Sequence, residues 1–122
     1  MIGITKGGLA PLALLAERLH INRIITISAN SYDGQQRGRL NITYLPEIDL
    51  SGQNILLIDE IVGTGETLRH ISEILINDYK VRKLKTVTMV AGKDKHSFHP
   101  DFFAAEVDNW IVFPWEKSDS PK

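Results

Sequence analysis

The chain has 122 residues, of which 43% are hydrophobic and 24% charged, so one soluble globular domain with a single core fits it and two domains do not fit comfortably. A formal net charge of -1 gives no global field to draw in nucleic acid or an anionic membrane, so neither is expected as a partner and any polyanion site has to be local. The lack of cysteine excludes a disulfide framework and a thiolate metal site, and is compatible with a reducing cytoplasm. No apolar run reaches membrane-spanning length, and MIGITKGGL lacks the basic region and apolar core of a secretion signal.

Ile2-Gly3-Ile4 reads as the end of a strand, an abrupt start that suggests a fold whose preceding elements are reduced or missing. From Leu9 to Leu19 the residues Leu9, Leu12, Ala13, Leu15, Ala16 and Leu19 recur at helical spacing, which predicts one amphipathic helix. Ile24 to Ile27 is a β-branched run suited to a buried strand, and the polar, glycine-containing stretch from Ala29 to Arg39 is expected to be a loop. Leu40 to Tyr44 alternates as a half-buried strand ended by Pro46, and Ser51-Gly52 is a turn. Ile55 to Ile58 is a continuous apolar run, the pattern of a central parallel strand covered on both faces.

A helix is expected next, with Leu68, Ile71, Ile74 and Leu75 inward and Arg69, Glu73, Asn77 and Asp78 toward water. Val87 to Val90 supplies a further strand, Ala91 to Asp101 a loop, and Phe102 to Val107 and Ile111 to Phe113 short extended segments before a tail, 117–122, expected to be flexible. Strands alternating with helices predict an α/β domain over 1–122 with a mostly parallel central sheet flanked by helices, whose ligands bind beyond the strands' carboxyl ends.

The segment ILLIDEIVGTGETL, Ile55 to Leu68, carries the chemistry. Asp59-Glu60 follows the buried strand, where two carboxylates can face the hydroxyls of a shared ligand or a hydrated magnesium ion. Gly63-Thr64-Gly65-Glu66-Thr67 then leads into a helix, so free backbone N–H groups, threonine hydroxyls and the helix dipole converge where a phosphate fits. A ribose phosphate satisfies both halves. The Walker pattern fails because Glu66-Thr67, not a lysine and a hydroxyl residue, follows Gly65, and the dinucleotide pattern fails because position 68 is Leu68. The competing plain reading is a strand-turn-helix junction with capping residues. His96 and His99 have no further ligand at suitable spacing, so no zinc site is expected, and His20 and His70 are expected at an element end or on a helix surface.

This segment resembles the signature of type I phosphoribosyltransferases, and the chain is most similar to the bacterial xanthine-guanine, 6-oxopurine, group. The resemblance extends to Thr5-Lys6-Gly7-Gly8-Leu9 as the pyrophosphate loop, Ser31-Tyr32-Asp33 as the start of the catalytic loop, and Asp108-Asn109-Trp110-Ile111 with Pro114-Trp115 as the base-binding end. It implies transfer of phosphoribose from phosphoribosyl pyrophosphate to a purine in base salvage, with magnesium as cofactor and the chain as a homo-oligomer. By resemblance Thr5, Lys6, Gly7 and Gly8 hold pyrophosphate, and Ser31 and Tyr32 belong to a lid over the sugar phosphate. Asp59 and Glu60 bind the ribose and the metal, and Gly63 to Thr67 hold the 5′-phosphate. Trp110 stacks on the base, and Ile111 and Lys93 contact its ring edge, although the family's lysine also aligns with Gly92. Each has a plainer use: Lys6 as a solvated surface lysine, Tyr32 and Trp110 as packing residues.

At Gly63 the sequence departs from the pattern, since 6-oxopurine enzymes usually place there an aspartate that manages the N7 proton of the base. Glycine supplies no proton acceptor, so purine transfer is expected to be slow while the sugar pyrophosphate still binds. The alternative of a different class is a regulator of the same fold that senses phosphoribosyl pyrophosphate with little or no catalysis.

Overall fold

The computed structural model describes residues 1–5, 7–31, 40–62, 65–92 and 98–107. Among these residues six strands and two helices follow one another as β1 (Ile2–Thr5), α1 (Leu9–Leu19), β2 (Ile25–Ser31), β3 (Leu40–Tyr44), β4 (Asn54–Val62), α2 (Glu66–Asn77), β5 (Lys83–Gly92) and β6 (Phe102–Val107). They form one sheet in the order β3-β2-β1-β4-β5-β6, parallel throughout except for the antiparallel pair of β2 and β3.

Each helix covers one face of the sheet, and the strand side chains sort by alternation. Ile2, Ile4, Ile27, Ile55 and Leu57 pack with Leu68, Ile71 and Leu75 of α2, whereas Ile58, Leu56 and Val87 pack with Leu12, Leu15 and Ala16 of α1. Leu57, Ile58, Ile71 and Leu75 are fully buried, and each such side chain contributes about 1.5–3 kcal/mol by leaving water. Gly3 keeps α1 close, because a Cβ there would lie 2.7 Å from Cδ2 of Leu12. Pro11 sits in the first turn of α1, where its missing N–H is not needed, and His20 ends that helix in the left-handed conformation with φ 56°.

Several elements differ from the expectation drawn from the sequence. Ala29 to Ser31 continue β2 rather than opening a loop, because β3 pairs with them through Ala29–Ile42, Asn30–Asn41 and Ser31–Leu40. Strand β5 begins at Lys83 and runs to Gly92, well beyond Val87 to Val90, since β4 gives it a partner from Asn54–Lys83 to Val62–Ala91. Asp101 ties β6 to β5, its carboxylate accepting from the Thr86 N–H at 2.8 Å while its own N–H donates to Thr86 Oγ1 at 2.9 Å. Ser72, a polar residue, joins Leu68, Ile71 and Leu75 on the buried stripe of α2, and Ile74 packs at its margin. The extended segment expected at Ile111 to Phe113 and the tail lie outside the described residues. Between α1 and the outer strands, Pro11, Leu14, Leu15, Met89, Phe102 and Phe103 line an apolar groove of about 240 Å³. No helix among the described residues is long and apolar enough to cross a membrane.

Candidate active site

The strand order reverses between β1 and β4: from β1 the chain crosses to β2 on one side, and from β4 to β5 on the other. In an open α/β sheet the crevice beyond the carboxyl ends of two such strands is where ligands bind. Both helices start at this crevice, α1 after Gly8 and α2 after Gly65.

On the β1 side the space is fixed by backbone. A Cβ on Gly8 would lie 2.6 Å from the carbonyl oxygens of both Ile4 and Ile58, so only glycine passes over the gap between β1 and β4. The Gly8 N–H donates to Ile4 O at 2.7 Å, which folds the chain back over the end of β1. Thr5 is anchored sideways to β2, its hydroxyl 2.7 Å from that of Ser28. A Cβ on Gly7 would lie 2.7 Å from Oε1 of Glu60, so the turn after β1 lies directly against the Glu60 side chain of β4.

On the other side, β4 does not stop at Ile58 but runs on to Val62, so Asp59 and Glu60 lie within the strand. Since Ile55 and Leu57 pack toward α2 and Leu56 and Ile58 toward α1, alternation turns Asp59 to the α2 face and Glu60 to the α1 face. The two carboxylates therefore straddle the sheet instead of sharing one face. The Glu60 N–H donates to Oδ1 of Asp59 at 2.8 Å. Burial pushes the Asp59 carboxyl up to about 7, the Glu60 N–H pulls it down, and the neighbouring Glu60 charge adds to the rise. An acid so disfavoured in its ionised form gains when a cation or a hydroxyl donor arrives.

Gly65 precedes α2 with φ 85°, a left-handed conformation that glycine adopts without strain. A Cβ there would also clash with the Phe98 carbonyl oxygen and lie 2.8 Å from its Cβ, which places the segment before β6 directly over Gly65. Neither Gly8 nor Gly65 can cap its helix with a side chain, so the first N–H groups of both helices are not taken up by an N-cap side chain. Glu66 opens α2, and both its carboxylate oxygens accept from Nη2 of Arg69 at 2.8 Å.

Residues 1–120 match the family model of the phosphoribosyl transferase domain. The chain belongs to the phosphoribosyltransferase family. Xanthine-guanine phosphoribosyltransferases of Desulfotalea psychrophila and Chromohalobacter salexigens are 37% and 35% identical to it, each over 95% of this chain, which spans 69% and 67% of their respective lengths. The solved purine phosphoribosyltransferase of Pyrococcus horikoshii superposes with a TM-score of 0.81 at 26% identity, over 93% of this chain and 74% of that one.

Of the residues this chain was expected to use, Thr5, Gly7, Gly8, Asp59, Glu60, Gly65, Glu66 and Thr67 gather around the carboxyl ends of β1 and β4. Ser31 closes β2, on the neighbouring strand. Lys6, Tyr32, Gly63, Thr64, Lys93, Trp110 and Ile111 lie outside the described residues. Three neighbours went unnoticed in the sequence. Ser28 holds Thr5, and only the parallel register of β1 and β2 pairs them. Arg69 holds Glu66, a contact that the spacing of three residues along a helix could have signalled. Phe98 reaches Gly65 from across the fold with no local signal.

Proposed function

We propose that the chain transfers phosphoribose from phosphoribosyl pyrophosphate to a purine base, guanine, xanthine or hypoxanthine, with release of pyrophosphate in base salvage. The observation that carries this is the contact of Gly7 with Glu60, which joins a glycine turn able to approach an anion and an acidic pair able to hold sugar hydroxyls in one crevice. In this reading the backbone of Thr5, Lys6, Gly7 and Gly8 and the Lys6 ammonium hold pyrophosphate as it leaves, so charge building on it meets fixed donors. Asp59 and Glu60 grip the ribose hydroxyls from the two sides of β4. Backbone N–H groups of residues 63–67 at the start of α2 hold the 5′-phosphate. Ser31 and Tyr32 exclude water over the sugar, and Trp110, Ile111 and Lys93 orient the base.

The donor set fits magnesium brought in with the substrate. Glu60, which faces the glycine turn, and Asp59, on the other side of β4, would be the carboxylates to hold it, and among the described residues no group of three metal-ligating side chains offers another site. When bound, that ion neutralises charge on the pyrophosphate. Assembly with copies of the same chain is supported by exposed apolar surface, Leu14 being 60% and Phe102 56% exposed. A cytoplasmic setting is supported by the lack of cysteine.

Gly63 favours a second reading, a sensor that binds the sugar pyrophosphate and turns it over little, because no carboxylate is supplied where a purine proton would be taken. Pyrophosphate release measured with guanine, xanthine and hypoxanthine separates the two. Turnover with any of them supports the enzyme, and a rate well below the ~10 per second of ordinary enzymes, raised by Gly63→Asp, supports Gly63 as its limit. Binding with no turnover for any base supports the sensor, and absence of binding sinks both.

A further inference from the structure

We infer that Arg69 is a positioning residue for the phosphate end of the site, acting through Glu66. The inference rests on reading the loop before α2 as the 5′-phosphate cradle. Glu66 is the first residue of that helix and puts a carboxylate in its first turn, the end that a dianion would approach. A carboxylate in a first helical turn is itself attracted to those groups, and it repels an incoming phosphate. Left loose, it would be an internal competitor for the site.

Arg69 restrains it from one turn further along. Its Nη2 bonds both oxygens of Glu66 at 2.8 Å, and its Nε bonds Oε1 at 3.2 Å. Its Nη1 bonds Oε2 of Glu73 at 3.0 Å, so the guanidinium is held between two turns of the same helix. The fork ties the Glu66 carboxylate to a guanidinium one turn further along the helix and offsets its charge. As the side chains of Arg69 and Glu66 are 41% and 38% exposed, this pair adds little to folding stability, and its effect falls on the charge that a ligand meets. The other helix of the crevice gives the contrast: α1 has no acidic residue in its first turn and needs no such restraint.

The test is calorimetric titration of the full chain with ribose 5-phosphate, and with phosphoribosyl pyrophosphate plus magnesium, at low and high salt. Arg69→Ala weakens both ligands about tenfold at low salt and less at high salt, where the Glu66 charge is screened. Glu66→Gln tightens binding, and in that background Arg69→Ala costs less than about twofold, since nothing is left to restrain. Arg69→Lys retains part of the effect, and Glu73→Gln, which leaves Glu66 in the fork, binds as the unaltered chain does. A helical signal kept by every variant separates this from loss of α2. An equal loss in both backgrounds would mean that Arg69 touches the phosphate or merely supports the fold, and overturns the inference, as does no loss at all. Failure of the unaltered chain to bind either ligand overturns the cradle reading itself, and the inference with it.

Discussion

Two strand-to-helix junctions face one another across the crevice, and they are built under different constraints. After β1 the limit is space: Gly8 passes within contact of two strand carbonyls, and a single added carbon meets backbone that cannot give way. After β4 charge and conformation are added to space: Asp59 has a carboxyl that burial holds partly protonated near neutrality, Gly65 takes a left-handed turn close under the Phe98 backbone, and Glu66 is held by Arg69. The first junction behaves as a fixed wall and the second as a polar arm whose energy depends on what is bound. A site for a sugar bearing phosphates at both ends needs both, one to set distance and one to respond to charge.

The sharpest way to break this contrast is Gly8→Ala, which should cost about 3 kcal/mol in urea unfolding, at the upper end for overpacking, because both facing atoms are backbone oxygens. A loss below about 0.5 kcal/mol would show that the wall yields. Next in size is Asp59→Asn. With the folded carboxyl raised to about 7, the folded chain keeps a proton that the unfolded chain has released, so stability falls as pH rises from about 4 to 7 and levels off above. Asp59→Asn removes that slope and raises stability at pH 8 by about 2 kcal/mol, a discount from the ~1.4 kcal/mol per unit of full burial for its remaining solvent contact. Thermal unfolding at pH 5 and pH 8 checks it, and the same variant should bind the sugar pyrophosphate more weakly.

Gly65→Ala should cost at least about 1.5 kcal/mol, the figure for the left-handed conformation before the added carbon meets the Phe98 carbonyl oxygen. Unlike Gly8→Ala it should weaken ribose 5-phosphate binding even where the fold survives, as titration at low temperature will read. The smallest effect is expected away from the crevice. Asp101→Ala frees the Thr86 N–H and should cost about 1 kcal/mol with no change in ligand affinity. A loss of affinity there would mean that the β6 side is coupled to the crevice.

The elements set by a local period were readable in advance. Leu9 to Leu19 repeats at helical spacing and has Pro11 where a first turn tolerates it, and its observed span agrees. What escaped was fixed by a partner strand. Ala29-Asn30-Ser31 are polar yet extended because β3 pairs with them, and Lys83 to Thr86 are extended because β4 lies alongside. The same holds at the site. The order of Gly7-Gly8, Asp59-Glu60 and Gly65 along the chain pointed to a ribose-phosphate crevice, but the alternation that puts Asp59 and Glu60 on opposite faces follows from β4 continuing to Val62, which two adjacent carboxylates argued against. Phe98 against Gly65 is a tertiary contact with no trace in local pattern.

The central claim, that the crevice between β1 and β4 is a phosphoribosyl pyrophosphate site, is tested most directly by calorimetric titration of the full chain with that ligand in the presence and absence of magnesium. The account predicts saturable binding at one site per chain that needs the metal and is weakened at least about tenfold by Glu60→Gln, a change of about 1.4 kcal/mol. A folded chain that gives no saturable heat, or one that binds equally well with Glu60→Gln and without magnesium, would contradict it.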